Sequence, residues 1–217
     1  MKALIVTGGD CPSHEIIHML SEHADFVIAA DSGLEACLSA QIEPDFVVGD
    51  LDSVQQVSLS RVSRDKILQF PEDKDYTDTE LAIETARNHG AQDIVLAGGG
   101  AGRLDHLLAV RALFERENPV QEWHTAQESA FLVSARHRLH FSTPAVPVTV
   151  SVFPLSKGAS GMHSRGLKWP LDGLEWDCGH FGVSNKSIEP EITITAGQEP
   201  ILVILPLGTR VDIFSDG

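Results

Sequence analysis

Ile94-Val95-Leu96-Ala97-Gly98-Gly99-Gly100-Ala101-Gly102-Arg103-Leu104-Asp105-His106 decides how this chain folds. A short apolar run ends in a cluster of glycines, and a helical pattern begins directly after them. Strand, glycine turn and helix in that order form the unit from which parallel sheets with covering helices are built. Glycine allows a tight turn and lets backbone N–H groups approach an anion at a helix N-terminus. The run is not a Walker A loop, because no Gly-Lys-Ser/Thr follows. Nor is it a dinucleotide fingerprint, because Arg103 stands where the third glycine would be. A flexible turn would account for the glycines alone. It does not account for Arg103, a cation in the first helical turn, where the helix dipole disfavours it. A guanidinium fork for phosphate oxygens is the natural use of a residue placed against its local preference.

The same alternation extends on both sides. Short apolar runs at Ala3–Thr7, Phe26–Ala30, Phe46–Val48, Ile67–Phe70 and Ile94–Ala97 each end in a turn signal. Helical patterns follow at Ser13–Glu22, Gly33–Ala40, Val54–Val62, Asp78–His89 and Leu104–Arg116. Ser53 with Gln56, and Thr77 with Glu80, have capping-box spacing. Residues 1–135 are therefore expected to form an α/β domain around a mostly parallel, Rossmann-like three-layer sheet. From 136 to 217 the texture changes. Strand-like runs at His137–Ser142, Val146–Phe153, Gly173–Cys178, Glu191–Ala196 and Ile201–Pro206 alternate with Gly, Pro and Ser, as in an all-β sandwich or open barrel. Leu155–Arg165, with its glycines and serines, reads as a mobile loop.

Composition narrows the function. The chain has 217 residues, 42% of them apolar and 22% charged, which suits one large or two modest globular domains. Its net charge of −15 repels nucleic-acid backbones, and no basic stripe offsets it. Cys11, Cys37 and Cys178 are odd in number and widely spaced, so neither a disulfide framework nor a thiolate zinc site is expected. The apolar start Met1–Val6 is too short for a signal peptide, and no run of about 20 apolar residues marks a membrane span. A soluble cytoplasmic protein is expected.

Carboxylates gather where predicted strands end, the edge at which open α/β sheets bind ligands. Gly49-Asp50-Leu51-Asp52-Ser53 follows one strand. Its two acids at i and i+2 can converge on a hard cation such as Mg²⁺, although Asp52 and Ser53 could equally just open a helix. Phe70-Pro71-Glu72-Asp73-Lys74-Asp75-Tyr76-Thr77-Asp78-Thr79-Glu80 holds five acids and one lysine between positions 72 and 80. The helix dipole explains Asp78 and Glu80 near an N-terminus capped by Thr77. It does not explain Asp73 and Asp75, which precede the helix and repel one another without a counterion; Lys74 between them serves either as that counterion or to reach an incoming phosphate. Taken together, these carboxylates and the Arg103 loop describe a metal–polyphosphate site. His14-Glu15-Ile16-Ile17-His18 spells the His-Glu-x-x-His string of zinc peptidases. Ile16, Ile17 and Leu20 take the core face, however, leaving both histidines outward without a third ligand, so the match is assigned to chance.

Gly49–Ser53, Lys74–Asp78 and Gly98–His106, in this order and spacing, resemble the Gly-Asp-x-Asp-Ser, Lys-Asp-x-Thr-Asp and Gly-Arg-x-Asp-His signatures of the thiamine pyrophosphokinase family. Ala30-Asp31-Ser32-Gly33 is similar to the family's first nucleotide-side turn. Gly166-Leu167-Lys168-Trp169-Pro170-Leu171 and Val183-Ser184-Asn185 match two further patterns. Lys186 departs where an acid is frequent, and Trp169 where Tyr is common. The resemblance implies an α/β domain followed by a β-sandwich. It also implies a homodimer, with thiamine held between one subunit's α/β domain and its partner's β domain, and transfer of diphosphate from ATP to thiamine. It would place Asp50, Asp52, Asp75 and Asp78 around Mg²⁺, with Arg103 on the polyphosphate. Asp31, Ser53, Lys74, Thr77, Gly100 and Gly102 would lie around ATP, and Asp105, Trp169, Ser184 and Asn185 around thiamine, with Trp176 as a second aromatic candidate. An acidic setting with an aromatic wall suits the permanent thiazolium charge. Phosphoryl chemistry needs positioning and charge neutralisation rather than a covalent nucleophile. Another Asp-x-Asp nucleotidyl- or glycosyltransferase, or a nucleotide-binding module without turnover, is the alternative.

Overall fold

The computed structural model describes residues 1–144, 146–177 and 179–215. It divides into two compact units. One comprises Met1–Arg111 with Asn118–Ala126; the other comprises Ala112–Glu117 with the chain from Gln127 onward.

The first unit contains strands β1 (Lys2–Thr7), β2 (Phe26–Ala30), β3 (Phe46–Gly49), β4 (Ile67–Gln69), β5 (Asp93–Ala97) and β6 (Glu122–His124). They lie in the order β6-β5-β1-β2-β3-β4, and every pairing is parallel. Interior strands of such a sheet are covered on both faces, which is why Ala3–Val6 and Ile94–Ala97 are wholly apolar and buried. Five helices accompany them: α1 (His14–Glu22), α2 (Gly33–Ser39), α3 (Gln56–Leu59), α4 (Asp78–Asn88) and α5 (Leu104–Ala112). Leu4 and Val6 share a core with Ile17 of α1 and Leu34 of α2. Alternate strand residues such as Ala3 and Ile5 point to the opposite face, and α4 also packs on β1, β2 and β3. Helix α4 starts as its sequence requires. Thr77 Oγ1 accepts from the Glu80 backbone N–H at 3.2 Å, and the Thr77 N–H donates to Glu80 Oε2 at 2.9 Å.

The second unit contains β7 (Glu128–Val133), β8 (His137–Ser142), β9 (Thr149–Pro154), β10 (Ala159–Ser160), β11 (His163–Arg165), β12 (Glu175–Trp176), β13 (Gly182–Lys186), β14 (Glu191–Thr195), β15 (Ile201–Pro206) and β16 (Asp212–Ser215). The antiparallel ladder β13-β9-β15-β7 and the antiparallel sheet β11-β14-β8-β16 enclose a common core. Phe131, Val152 and Val203 from the first meet Leu139, Phe141, Ile192 and Ile194 from the second. Two sheets joined through one apolar layer make a β-sandwich.

Several sequence expectations change. The Ser53–Gln56 capping box does not form. Ser53 Oγ instead donates to Asp52 Oδ1 at 2.8 Å, and the helix expected over Val54–Val62 is confined to Gln56–Leu59, with Gln55 at its N-cap. Leu155–Arg165 is not a plain loop but carries β10 and β11, anchored by buried Ala159 and Met162. Of the strand expected at Gly173–Cys178 only Glu175–Trp176 forms, and Cys178 lies outside the described residues. β6 and β7 lie between the last helix read from the sequence, Leu104–Arg116, and the strand read at His137–Ser142. β7 belongs to the second unit, whose main segment runs from Gln127. His14 and His18 are exposed on α1 and take part in no cluster of three metal-ligating groups among the described residues.

Candidate active site

Chain order along the sheet reverses between β1 and β5, the kind of switch point at which open α/β sheets bind ligands. Here the loop Gly8–Asp10 meets the glycine loop 98–102. Gly99 N donates to Gly8 O at 2.7 Å, Asp10 N to Gly100 O at 2.8 Å, and Gly100 N to Asp10 O at 3.3 Å. Gly98 N donates to His124 O at 2.9 Å, and the Trp123 indole donates to Gly98 O at 2.7 Å. A side chain at Gly98 would meet Thr7 O at 2.2 Å, so only glycine fits that turn, at φ +102°. The loop is a rigid clamp, and the N–H groups of Gly98, Gly99 and Gly100 are consumed inside it. Its open part begins at Ala101 and Gly102, where a side chain on Gly102 would meet nothing within 4 Å.

Carboxylates collect at the ends of β2 and β3. Asp31, Asp50 and Asp52 each offer an oxygen within 4.8 Å of the others'. Gly49, at φ +153°, permits this. A Cβ there would approach Asp78 Oδ1 to 3.2 Å and Asp31 Cβ to 3.3 Å. Asp31 and Leu51 are held at φ +48° and +67°. Left-handed backbone outside glycine costs about 1–2 kcal/mol per residue, and at Leu51 it turns the chain so that Asp50 and Asp52 converge. Lys74 Nζ lies 3.1 Å from Asp50 Oδ2 and 2.9 Å from Asp78 Oδ1. The second contact is an ion pair, and Asp78 Oδ1, like Asp31 Oδ1, is buried with no hydrogen bond assigned to it.

The electrostatics follow from that packing. Burial, together with the like charges of Asp78 and Asp50, pushes the Asp31 carboxyl upward against a hydrogen bond from the Ser32 backbone. The hydrogen bond from Lys74 holds Asp50 below the usual carboxylate range. Burial works against the charge on Lys74, but Asp78 and Asp50 outweigh it and hold the ammonium above its ordinary value. Convergent carboxylates, with one buried oxygen on each of Asp31 and Asp78 lacking a hydrogen-bond partner, are a donor set that a hard divalent cation takes. Asp31 joins Asp50 and Asp52, Asp78 enters through Lys74, and Asp75 is exposed outside the trio.

Arg103 and Asp105 are exposed and hold each other, with Arg103 Nη2 2.6 Å from Asp105 Oδ2 and Nε 3.1 Å from Oδ1. Thr77 is occupied as the α4 cap. In the β-rich unit Asn185 is buried and bonded to Trp169 in both directions. Its Oδ1 accepts from Trp169 N at 3.2 Å and its Nδ2 donates to Trp169 O at 2.7 Å. Asn185 thus fixes the backbone of Trp169, a residue 53% exposed with Lys168 Nζ 4.6 Å from its ring centroid. The adjacent Ser184 is exposed at φ +59°. Trp176 packs against the sandwich core instead. Sequence reasoning missed Trp123 and Glu35. Glu35 Oε1 accepts from Gln55 N at 3.0 Å and so anchors the far end of the Asp50–Ser53 loop. Neither lies in a motif, and only tertiary contact reveals them.

A family model described as the thiamin pyrophosphokinase catalytic domain matches residues 17–121. A second, the thiamin pyrophosphokinase vitamin B1 binding domain, matches residues 136–201. The fold resembles a thiamine pyrophosphokinase from Bacillus subtilis at a TM-score of 0.77 and 22% identity, covering 95% of this chain and 99% of that one. It resembles the thiamin pyrophosphokinase of Candida albicans at 0.72 and 16% identity, covering 94% and 89%. For the yeast thiamin pyrophosphokinase the values are 0.70 and 17%, covering 99% and 87%. No curated protein sequence matches the chain significantly. At these identities the structural likeness is one of fold, and the two family models carry the assignment.

Proposed function

The chain belongs to the thiamin pyrophosphokinase family and is a thiamine diphosphokinase, and we propose how its residues divide that work. The observation that carries the reading is the convergence of Asp31, Asp50 and Asp52 beside the Lys74–Asp78 pair, at the strand ends where the sheet opens. Asp50 and Asp52, with Asp31 and Asp78, hold Mg²⁺. When bound, that ion neutralises charge on the polyphosphate, which positioning-dominated phosphoryl chemistry requires. Asp75 stands further out and faces solvent.

ATP lies along the same edge, its phosphates reached by the free N–H groups of Ala101 and Gly102 and by the Arg103 fork, with Ser53 and Lys74 opposite. Asp105, bonded to Arg103 without ligand, turns to the aminopyrimidine of thiamine. Trp169 supplies the aromatic wall for the thiazolium charge, and Asn185 positions it. The enzyme acts as a homodimer, and thiamine is held where one subunit's α/β unit meets its partner's β-rich unit. Exposed Trp169, Phe181, Val183 and Ile188 support a covered face there. No helix among the described residues is long and apolar enough to cross a membrane, and the proposed compartment is the cytoplasm.

The test is product identity. Purified protein with ATP, thiamine and Mg²⁺ should release AMP and thiamine diphosphate in equal amounts, and EDTA should stop it. ADP with thiamine monophosphate would mean attack on the terminal phosphorus, and pyrophosphate release would mean a nucleotidyltransferase. Saturable ATP binding without turnover would leave a binding module.

A further inference from the structure

We propose that Lys74 is the resident cation of the carboxylate cluster, holding Asp50 and Asp78 in the free protein and yielding them when a divalent cation arrives with the nucleotide. This rests on the metal-site reading above. Four carboxylates, Asp31, Asp50, Asp52 and Asp78, meet at one sheet edge and repel one another. Lys74 is the cation placed among them, 3.1 Å from Asp50 and 2.9 Å from Asp78, with its side chain 13% exposed. A lysine ammonium is a compact point charge on a flexible stem, well suited to neutralising such a group and to leaving it. Its contact with Asp78 Oδ1 is an ion pair, and that buried oxygen has no other partner. Asp31 Oδ1 is likewise buried and unpartnered. The cluster is thus held together but not saturated.

An ammonium and a divalent cation cannot share the same oxygens without strong repulsion. Capture of the divalent ion therefore requires Lys74 to leave Asp50 and Asp78. A triphosphate delivered with the ion gives the displaced ammonium a new anionic partner on the same side of the site. In the absence of nucleotide no such partner exists, and Lys74 competes for the carboxylates. Lys74 thereby makes metal binding conditional on nucleotide and limits occupation of the site by metal alone.

The experiment measures Mn²⁺ binding to the full chain without nucleotide, from the loss of the free-ion paramagnetic resonance signal. Lys74→Met should bind Mn²⁺ at least about tenfold more tightly than the parent, the scale on which one adjacent charge biases an ionic site. Adding Asp50→Asn to Lys74→Met should abolish the gain. Lys66→Met, which removes a lysine paired with Glu43 away from the cluster, should leave affinity unchanged. A fold defect would weaken binding, so the direction of the change separates the proposed role from a structural one. Equal or weaker Mn²⁺ affinity in Lys74→Met, with native circular dichroism, would overturn the proposal while Asp52-dependent binding kept the metal site. No Mn²⁺ binding by either protein even with ATP would remove the metal site itself, and the proposal with it.

Discussion

The indole nitrogen of Trp123 donates to the carbonyl oxygen of Gly98 across 2.7 Å, fastening the glycine loop to the strand beside it. Phenylalanine would keep the ring and remove the donor, leaving a buried carbonyl unsatisfied at a cost of about 1–3 kcal/mol. Trp123→Phe should lower the melting temperature and raise the KM for ATP about fivefold or more, with a smaller change in kcat. Steady-state kinetics and calorimetry check this. An unchanged KM for ATP would show that the clamp does not set the nucleotide subsite.

Asp31→Asn and Asp52→Asn should each reduce kcat on the order of 10²–10³, the scale of a lost electrostatic contact to the reacting phosphates. Their stabilities should diverge. Burial and the like charges of Asp78 and Asp50 disfavour ionised Asp31, so Asp31→Asn should melt higher than the parent in EDTA. Asp52 is exposed, and its replacement should leave melting unchanged. Near-normal turnover in both variants would dismiss the metal-site assignment.

Lys2, Glu122 and His124 make a half-buried polar network, with Lys2 Nζ 2.9 Å from Glu122 Oε1 and His124 Nε2 3.2 Å from Oε2. Burial pushes Glu122 upward, but the His124 hydrogen bond and Lys2 outweigh it and bring its pKa to about 2. A depressed carboxylate pKa contributes stability that is complete above the unfolded-state value and lost as pH falls through the folded one. The network should therefore supply up to about 3 kcal/mol at neutral pH, lost between about pH 4.5 and 2. Glu122→Gln should destabilise the protein at pH 7 and flatten its acid-unfolding curve over that window. Parallel curves for parent and variant would contradict it.

The proposed shared site takes Ser184 from one subunit and the Asp50–Asp52 loop from the other. Mixing inactive Asp52→Asn with inactive Ser184→Ala subunits should restore part of the activity, because a hybrid dimer regains one complete site. Subunit exchange without any recovery, or a fully active monomer by sizing, would refute the shared site.

Strand periodicity and local turn chemistry were legible in the chain itself. The apolar runs of β1, β2, β3 and β5 need cover on both faces, and the Thr77–Glu80 cap is complete within four residues, so neither depends on distant partners. The candidate loops were legible for the same reason, since glycines and clustered acids are costly without a use. Tertiary structure alone decided which acids meet. Asp31 and Asp50 are far apart in sequence and converge because β2 and β3 are parallel neighbours whose ends lie side by side, with Gly49 sparing the space between. The same holds for the glycine loop, whose N–H groups looked free until Gly8, Asp10 and His124 were found to accept them. It holds too for Ser53, whose hydroxyl turned to Asp52 instead of capping a helix. A backbone donor or a carboxylate has a fixed chemistry in the sequence, but its partner is set by whichever strand end the sheet brings within hydrogen-bonding distance.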